Sequence, residues 1–190
     1  VGLGLLVLPA LLAAPLGVSV PTISSWLDIL ELTGQVLLLP PYFENFGKRL
    51  VKSPKLYLAD AGLACFLLGI ESDKQLDASP FLGPIFEGYV ASEIVKSQLN
   101  PGKRRELYHF RDQKGLEVDF VVPTKEGKVT LIEAKATRTV RPELARSLAA
   151  LGVAAGGANP PSSFVVHRGS AAGLETRALR PGVKSVPLPE

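Results

Sequence analysis

Two short segments, Glu117–Val122 (EVDFVV) and Val129–Ala136 (VTLIEAKA), constrain this chain more than any other feature. Each alternates apolar and charged residues, and a turn at Lys125-Glu126-Gly127-Lys128 separates them. Residues two apart on a strand share a face. The alternation therefore predicts Val118, Phe120 and Val122 on one face of the first strand, and Glu117 with Asp119 on the other. In the second strand Ile132, Ala134 and Ala136 form the apolar face, while Glu133 and Lys135 lie opposite. Pairing through the turn gathers three carboxylates and one ammonium on a single patch. Crowded carboxylates repel unless a cation joins them, and hard oxygen donors of this kind suit Mg²⁺ or Mn²⁺. On spacing alone a second reading stands beside this one: an amphipathic hairpin whose charges face water in cross-strand pairs.

Composition narrows the surroundings of that hairpin. The 190 residues suffice for one or two domains, 46% of them are apolar, and 21% are charged, which excludes wholesale disorder. A net charge of +3 is compatible with nucleic acid without requiring it. One cysteine, Cys65, allows no internal disulfide, and two histidines, His109 and His167, cannot complete a Cys/His zinc site with it. Cys65 lies in an apolar run and reads as a core thiol; the composition fits a reduced, cytoplasmic setting. The opening VGLGLLVLPALLAAP has no basic leader, and Pro9 and Pro15 bracket too few apolar residues for a membrane span of about 20. It is expected to be a buried helix, with a degenerate signal peptide as the lesser alternative. The absence of methionine, even at position 1, makes a fragment the expected state of the chain, with a reading frame begun at an alternative start codon as the alternative.

Residues 19–33 read as a helix, with Pro21 in its first turn, Ile23, Trp26, Leu27 and Leu30 at helical spacing, and Gly34 as the stop. Gln35–Pro40 and Pro54–Asp60 read as strands around a basic loop carrying Lys48, Arg49 and Lys52. Ala61–Leu68 resumes a helix. The polar stretch 71–82 is the expected linker between a first domain at 1–70 and a second at 83–190. In the second, a helix from Gly83 places Ile85, Phe86, Tyr89, Val90, Ile94 and Val95 on one stripe. Glu106–Arg111 is a further strand. Residues 142–151 read as a helix, Gly152–Ser163 as a surface loop, Ser163–His167 as a strand, and the tail from Pro181 as irregular.

The order of these segments resembles a known pattern. Gly83 and Glu87 on a helix, G-x-E-V-D at Gly115, Glu117, Val118 and Asp119, and E-x-K at Glu133, Ala134 and Lys135 look like a PD-(D/E)XK nuclease. The wider succession KSPKLYLADAGLACFLLG, GPIFEGYVASEIVK, YHFRDQKGLEVDFVV and LIEAKAT is similar to the C-terminal region of a prokaryotic AAA-type ATPase family. The E-x-K motif alone is weak; the ordered series is not. The resemblance implies an α/β architecture, a partial winged helix followed by a nuclease-like mixed sheet flanked by helices. It implies Asp119 and Glu133 as ligands of Mg²⁺ or Mn²⁺, Glu87 assisting from the helix with Glu93 as its rival, and Lys135 acting on the attacking water. Glu117 stands as a neighbour on the same face.

Neither Gly47-Lys48 nor Gly102-Lys103 satisfies the P-loop spacing, because Tyr42 and Ser97 occupy the required glycine positions and arginine follows each lysine. No ATP site is expected within these residues, and the ATPase partner is expected upstream or on a separate chain. The helix at 19–33 carries Thr22, Ser24, Ser25, Asp28 and Glu31 but no Lys or Arg, unlike a helix that reads a major groove. Contact with DNA is expected instead from Lys48, Arg49 and Lys52 (with Lys55), and from Lys103, Arg104 and Arg105, the latter with His109 and Arg111 lining a path to the carboxylates; the alternative for each is a solvated basic loop or turn. The expected function is that of a DNA-associated, nuclease-like module. Its alternative is a non-catalytic interaction or regulatory module, or a truncated remnant.

Overall fold

The computed structural model describes residues 5–6, 9–42, 51–124, 128–156, 160–169 and 175–188. The chain divides into two compact units, Val1–Pro40 with Lys52–Glu93, and Pro41–Val51 with Ile94–Glu190.

The first unit contains β1 (Leu5–Leu6), α1 (Pro9–Leu16), α2 (Val20–Leu32), β2 (Val36–Leu39), β3 (Lys55–Leu58), α3 (Ala61–Leu67) and α4 (Asp73–Ala78). Its three strands form an antiparallel sheet in the order β1-β3-β2. Local chemistry sets the helix ends. Ser19 Oγ accepts the Thr22 N–H at 3.2 Å, and Pro21 lies in the first turn, where its missing N–H costs nothing. Gly34 then takes φ of 72°, a left-handed conformation that side chains resist, and α2 stops. Ala13, Ile23 and Leu27 bury together against Leu56.

The outer side of this unit is strongly apolar: Leu11, Leu16, Trp26, Ile29, Leu32, Phe66 and Leu67 are all exposed. No single described helix is long and apolar enough to cross a membrane; α1 and α2 together pass that test but meet at 111°. Lys55, expected among the loop cations, lies in β3 and is 2% exposed. Lys48 and Arg49 lie outside the described residues, and Lys52 is exposed.

The stretch expected as a linker carries α4, whose Ser72 cap accepts the Gln75 N–H. Helix α5 (Leu82–Leu99) follows, and the division between the units falls within it, between Glu93 and Ile94. Along α5 the residues Ile85, Phe86, Val90, Ala91 and Val95 are buried, whereas Tyr89, expected on the same stripe, is 37% exposed. A spacing of four from Ile85 leads to Tyr89, but the buried face follows Gly88, Ala91 and Ser92, whose small side chains allow close approach.

The second unit holds β4 (Tyr108–Arg111), β5 (Glu117–Pro123), β6 (Val129–Lys135), a 3-10 turn (Pro142–Ala145), α6 (Arg146–Gly156), β7 (Ser162–Arg168), β8 (Arg177–Arg180) and β9 (Val183–Leu188). They make a six-stranded mixed sheet in the order β4-β5-β6-β7-β9-β8. The pairs β4-β5, β5-β6 and β8-β9 are antiparallel, and β6-β7 and β7-β9 are parallel. Val121, Leu131 and Val165 from the sheet and Leu148 and Leu151 from α6 are completely buried in one core, so α6 covers this face.

Two secondary-structure expectations fail in this unit. The expected loop from Gly152 begins inside α6, which runs to Gly156. The expected irregular tail is β9, a strand with neighbours on both sides. Proline at 181 and 187 weakens the strand signal, but Pro181-Gly182 forms the β8–β9 turn. Pro187 lies beyond the reach of β8, whose pairing is with Val183–Ser185, so the missing N–H removes no bond there.

Candidate functional site

The β4–β5 turn is built by Asp112. Its Oδ1 accepts N–H groups from Lys114 at 2.8 Å and Leu116 at 2.9 Å. Gly115 supplies the positive φ of 88° that closes the turn. Strand β5 leaves it with Glu117 opposite Arg111 and Val118 opposite Phe110, yet Val121 lies opposite Tyr108. Three steps on β5 thus match two on β4, which is a β-bulge.

The bulge corrects the strict alternation expected for EVDFVV. Val118 and Val121 both enter the core under α6, which two residues three apart on a regular strand cannot do. Glu117 is consequently separated from Asp119. It makes a cross-strand ion pair with Arg111 at 3.1 Å, with side-chain exposures of 41% for the arginine and 31% for the glutamate. Arg111 is therefore engaged here, and His109 is fully buried and does not line a path for phosphates.

Asp119, Glu133 and Lys135 are brought together. Glu133 and Lys135 alternate with Ile132 and Ala134 along β6, as expected, and share their face with Leu131 of the core. Lys135 Nζ lies 2.6 Å from Glu133 Oε1 and 4.0 Å from Asp119 Oδ2. The same Asp119 oxygen accepts the Ala134 N–H at 3.1 Å, which fixes the carboxylate against β6. Asp119 is 5% and Glu133 7% exposed, so the solvated amphipathic hairpin is not what forms. Burying carboxylates is costly, and the ammonium and the amide offset part of that cost. Lys135, at 34% side-chain exposure, opens the cluster to solvent.

Two carboxylates against one ammonium leave a negative site. Among the described residues no group of three or more His, Cys, Asp or Glu side chains is placed to hold a metal ion. The donor set fits an ion that needs only one or two carboxylates and completes its shell with water and phosphate oxygens, which is the habit of Mg²⁺. Glu87 belongs to the first unit, where its Oε2 accepts the Tyr57 hydroxyl at 3.1 Å. Glu93 is exposed.

The basic segment has a different outlook. Lys103 and Arg104 are exposed and line an open cleft of about 870 Å³ with Val122, Thr130 and Ile132. Thr130 and Ile132 alternate with Leu131 and Glu133, so this cleft lies on the opposite face of β6 from the carboxylate–lysine cluster. Arg105 is half-buried. Gln98 holds the segment to α5, accepting from the Glu106 N–H and donating to the Glu106 carbonyl.

Sequence reasoning passed over His167. It lies in register with Lys135 on the neighbouring parallel strand and is 7% exposed. Only the parallel pairing of β6 with β7 reveals that proximity.

Fold and site together define an α/β domain with a six-stranded mixed sheet flanked by helices and a buried carboxylate–lysine cluster at its central hairpin. The chain belongs to the family described as domain of unknown function DUF4143, which matches residues 82–189. A second domain of unknown function, DUF8612, matches residues 3–74. Uncharacterised proteins of Mycobacterium tuberculosis and Mycobacterium bovis are each 37% identical over 137 residues, covering 72% of this chain and 30% of the relative. The chain thus spans under a third of the length of these relatives. A chain in the assembly of Thermococcus gammatolerans McrB AAA+ hexamers with bound McrC aligns with 57% of this chain and 28% of its own length. The identity is 14% and the TM-score 0.40.

Proposed function

We propose that the chain is a DNA-associated, nuclease-like module of an AAA-type ATPase, with a winged-helix-like first part and a PD-(D/E)XK-like second part. The observation that carries this reading is the convergence of Asp119 and Glu133 on Lys135 at one end of the β5–β6 hairpin. The ordered motif series described above supports the link to an ATPase. Asp119 and Glu133 would hold Mg²⁺ or Mn²⁺, with Glu87 the carboxylate that the resemblance adds from the helix. Such an ion supplies Lewis acidity toward a phosphodiester oxygen.

The chain's own groups define the rest. The Ala134 amide orients Asp119. Lys135 would stabilise negative charge on a phosphate and orient an attacking water, and its partial exposure supports the approach of a ligand. Lys103, Arg104 and Arg105, and also Lys48, Arg49 and Lys52, would hold phosphates.

A second reading is favoured by the 2.6 Å approach itself: the lysine already occupies a cation's place beside Glu133. In this reading the domain is a non-catalytic interaction module and the cluster is a structural ion pair. The two are separated by incubating the intact chain with duplex DNA and Mg²⁺ or Mn²⁺. The first reading expects cleavage that Asp119→Ala and Glu133→Ala abolish, and that Lys135→Ala slows severely while Mn²⁺ binding persists. Absence of both cleavage and Mn²⁺ binding in the intact chain selects the second.

A further inference from the structure

His167 has no role in the reading above, yet its surroundings are unusual for a histidine that only fills space. Strands β6 and β7 run parallel with Glu133 beside Val165 and Lys135 beside His167. Residues in register on adjacent strands present their side chains to the same face. Val165 on that face is completely buried in the core under α6, so His167, two residues on, stands past the core's edge, level with Lys135. Both lie at the carboxyl ends of their parallel strands, where open sheets of this kind place ligands.

The ring is also held in a defined state. His167 Nδ1 lies 2.9 Å from the carbonyl oxygen of Arg168. A carbonyl only accepts, so Nδ1 carries the proton, and the lone pair of the neutral ring resides on Nε2. A buried imidazole fixed through Nδ1, in register with the lysine of the carboxylate cluster, is an acceptor prepared for a partner.

We infer that His167 is a further member of the Asp119–Glu133–Lys135 site. Its Nε2 accepts a hydrogen bond from a water held beside a bound phosphodiester. The inference rests on the phosphodiester reading of that site. It concerns binding and positioning, and requires no proton to leave the ring.

The test uses two substitutions that split the ring's two nitrogens. His167→Asn keeps a donor near the Nδ1 position and loses Nε2; His167→Gln keeps a polar group near Nε2 and loses the Nδ1 donor. The readouts are duplex affinity in Ca²⁺, thermal unfolding, and nitrogen resonances of the histidine ring with the Ala134 amide as a marker of the carboxylates. The expected result is a ring protonated at Nδ1, with Nε2 and the Ala134 amide both shifting when Ca²⁺ and a short DNA duplex are added. His167→Asn should then bind the duplex about tenfold more weakly at unchanged stability, the loss of one hydrogen bond from the water that the bound duplex holds, while His167→Gln retains most of the affinity.

A shift at Ala134 with none at His167, or wild-type affinity in His167→Asn, overturns the inference and leaves the site reading standing. No shift at either position removes both. A ring protonated at Nε2, or equal loss of stability and affinity in the two variants, shows a structural histidine and also overturns it.

Discussion

Glu133 and Lys135, two positions apart on one strand, form a direct ion pair at 2.6 Å, with the carboxylate 7% exposed. A spacing of two is what makes this possible: it puts both side chains on one face of β6, and the core ends there. Removing the lysine strands a buried anion. Lys135→Ala should therefore destabilise the second unit by about 2 kcal/mol, below the range for fully buried pairs because the ammonium is partly solvated. A double-mutant cycle with Glu133→Ala, followed by urea unfolding, should return a coupling of about 1–2 kcal/mol. Additive effects would mean that the two charges do not sense each other.

Asp119 has two duties that substitution can separate. Asp119→Asn keeps an acceptor for the Ala134 N–H, so its stability should fall by less than about 1 kcal/mol. Asp119→Ala leaves that amide without its side-chain acceptor and should cost about 1–3 kcal/mol. Both should weaken Mn²⁺ binding alike. Thermal unfolding and Mn²⁺ titration of the two variants check the separation; retained Mn²⁺ affinity in Asp119→Asn would remove the charge from the ligand role.

Glu117 serves as the control. Its pair with Arg111 is substantially exposed, and such pairs contribute under about 1 kcal/mol. Glu117→Ala should leave stability, Mn²⁺ binding and any DNA cleavage close to those of the intact chain. A large loss of cleavage would return Glu117 to the site.

Lys103 and Arg104 line a cleft on the face of β6 opposite to Glu133. If they neutralise phosphates, charge reversal at both should reduce the slope of log affinity against log salt by about 0.9 for each phosphate no longer neutralised. Fluorescence anisotropy with a labelled duplex measures that slope. Because the cleft is on the other face, Mn²⁺ binding by Asp119 and Glu133 should not change. An unaltered slope would assign these cations to solvation alone.

Particular residues show why some of this was legible from sequence and some was not. Helix α2 was readable because Ser19, Pro21 and Gly34 mark its ends chemically and its buried residues recur at helical spacing. The end of strand β6 was readable because Glu133 and Lys135 alternate with Ile132 and Ala134; that the core residue Leu131 shares the charged face was not. The bulge in β5 was not: Val118, Phe120, Val121 and Val122 are all apolar, so one extra residue leaves no trace in the pattern. Strand β9 was hidden by prolines whose harmlessness depends on which neighbour each position faces. The nearness of His167 to Lys135 is a property of parallel pairing between segments 32 residues apart, and no local signal encodes it.

That bulge gives a single backbone position unusual leverage over descent. Deleting Phe120 would let β5 pair evenly with β4 and relieve an irregularity, while turning Asp119 away from Lys135. Folding and chemistry pull in opposite directions at this point. A lineage released from the demand for the site would find the shorter strand easy to accept, and a gap opposite Phe120 would mark its loss before any acidic residue changed.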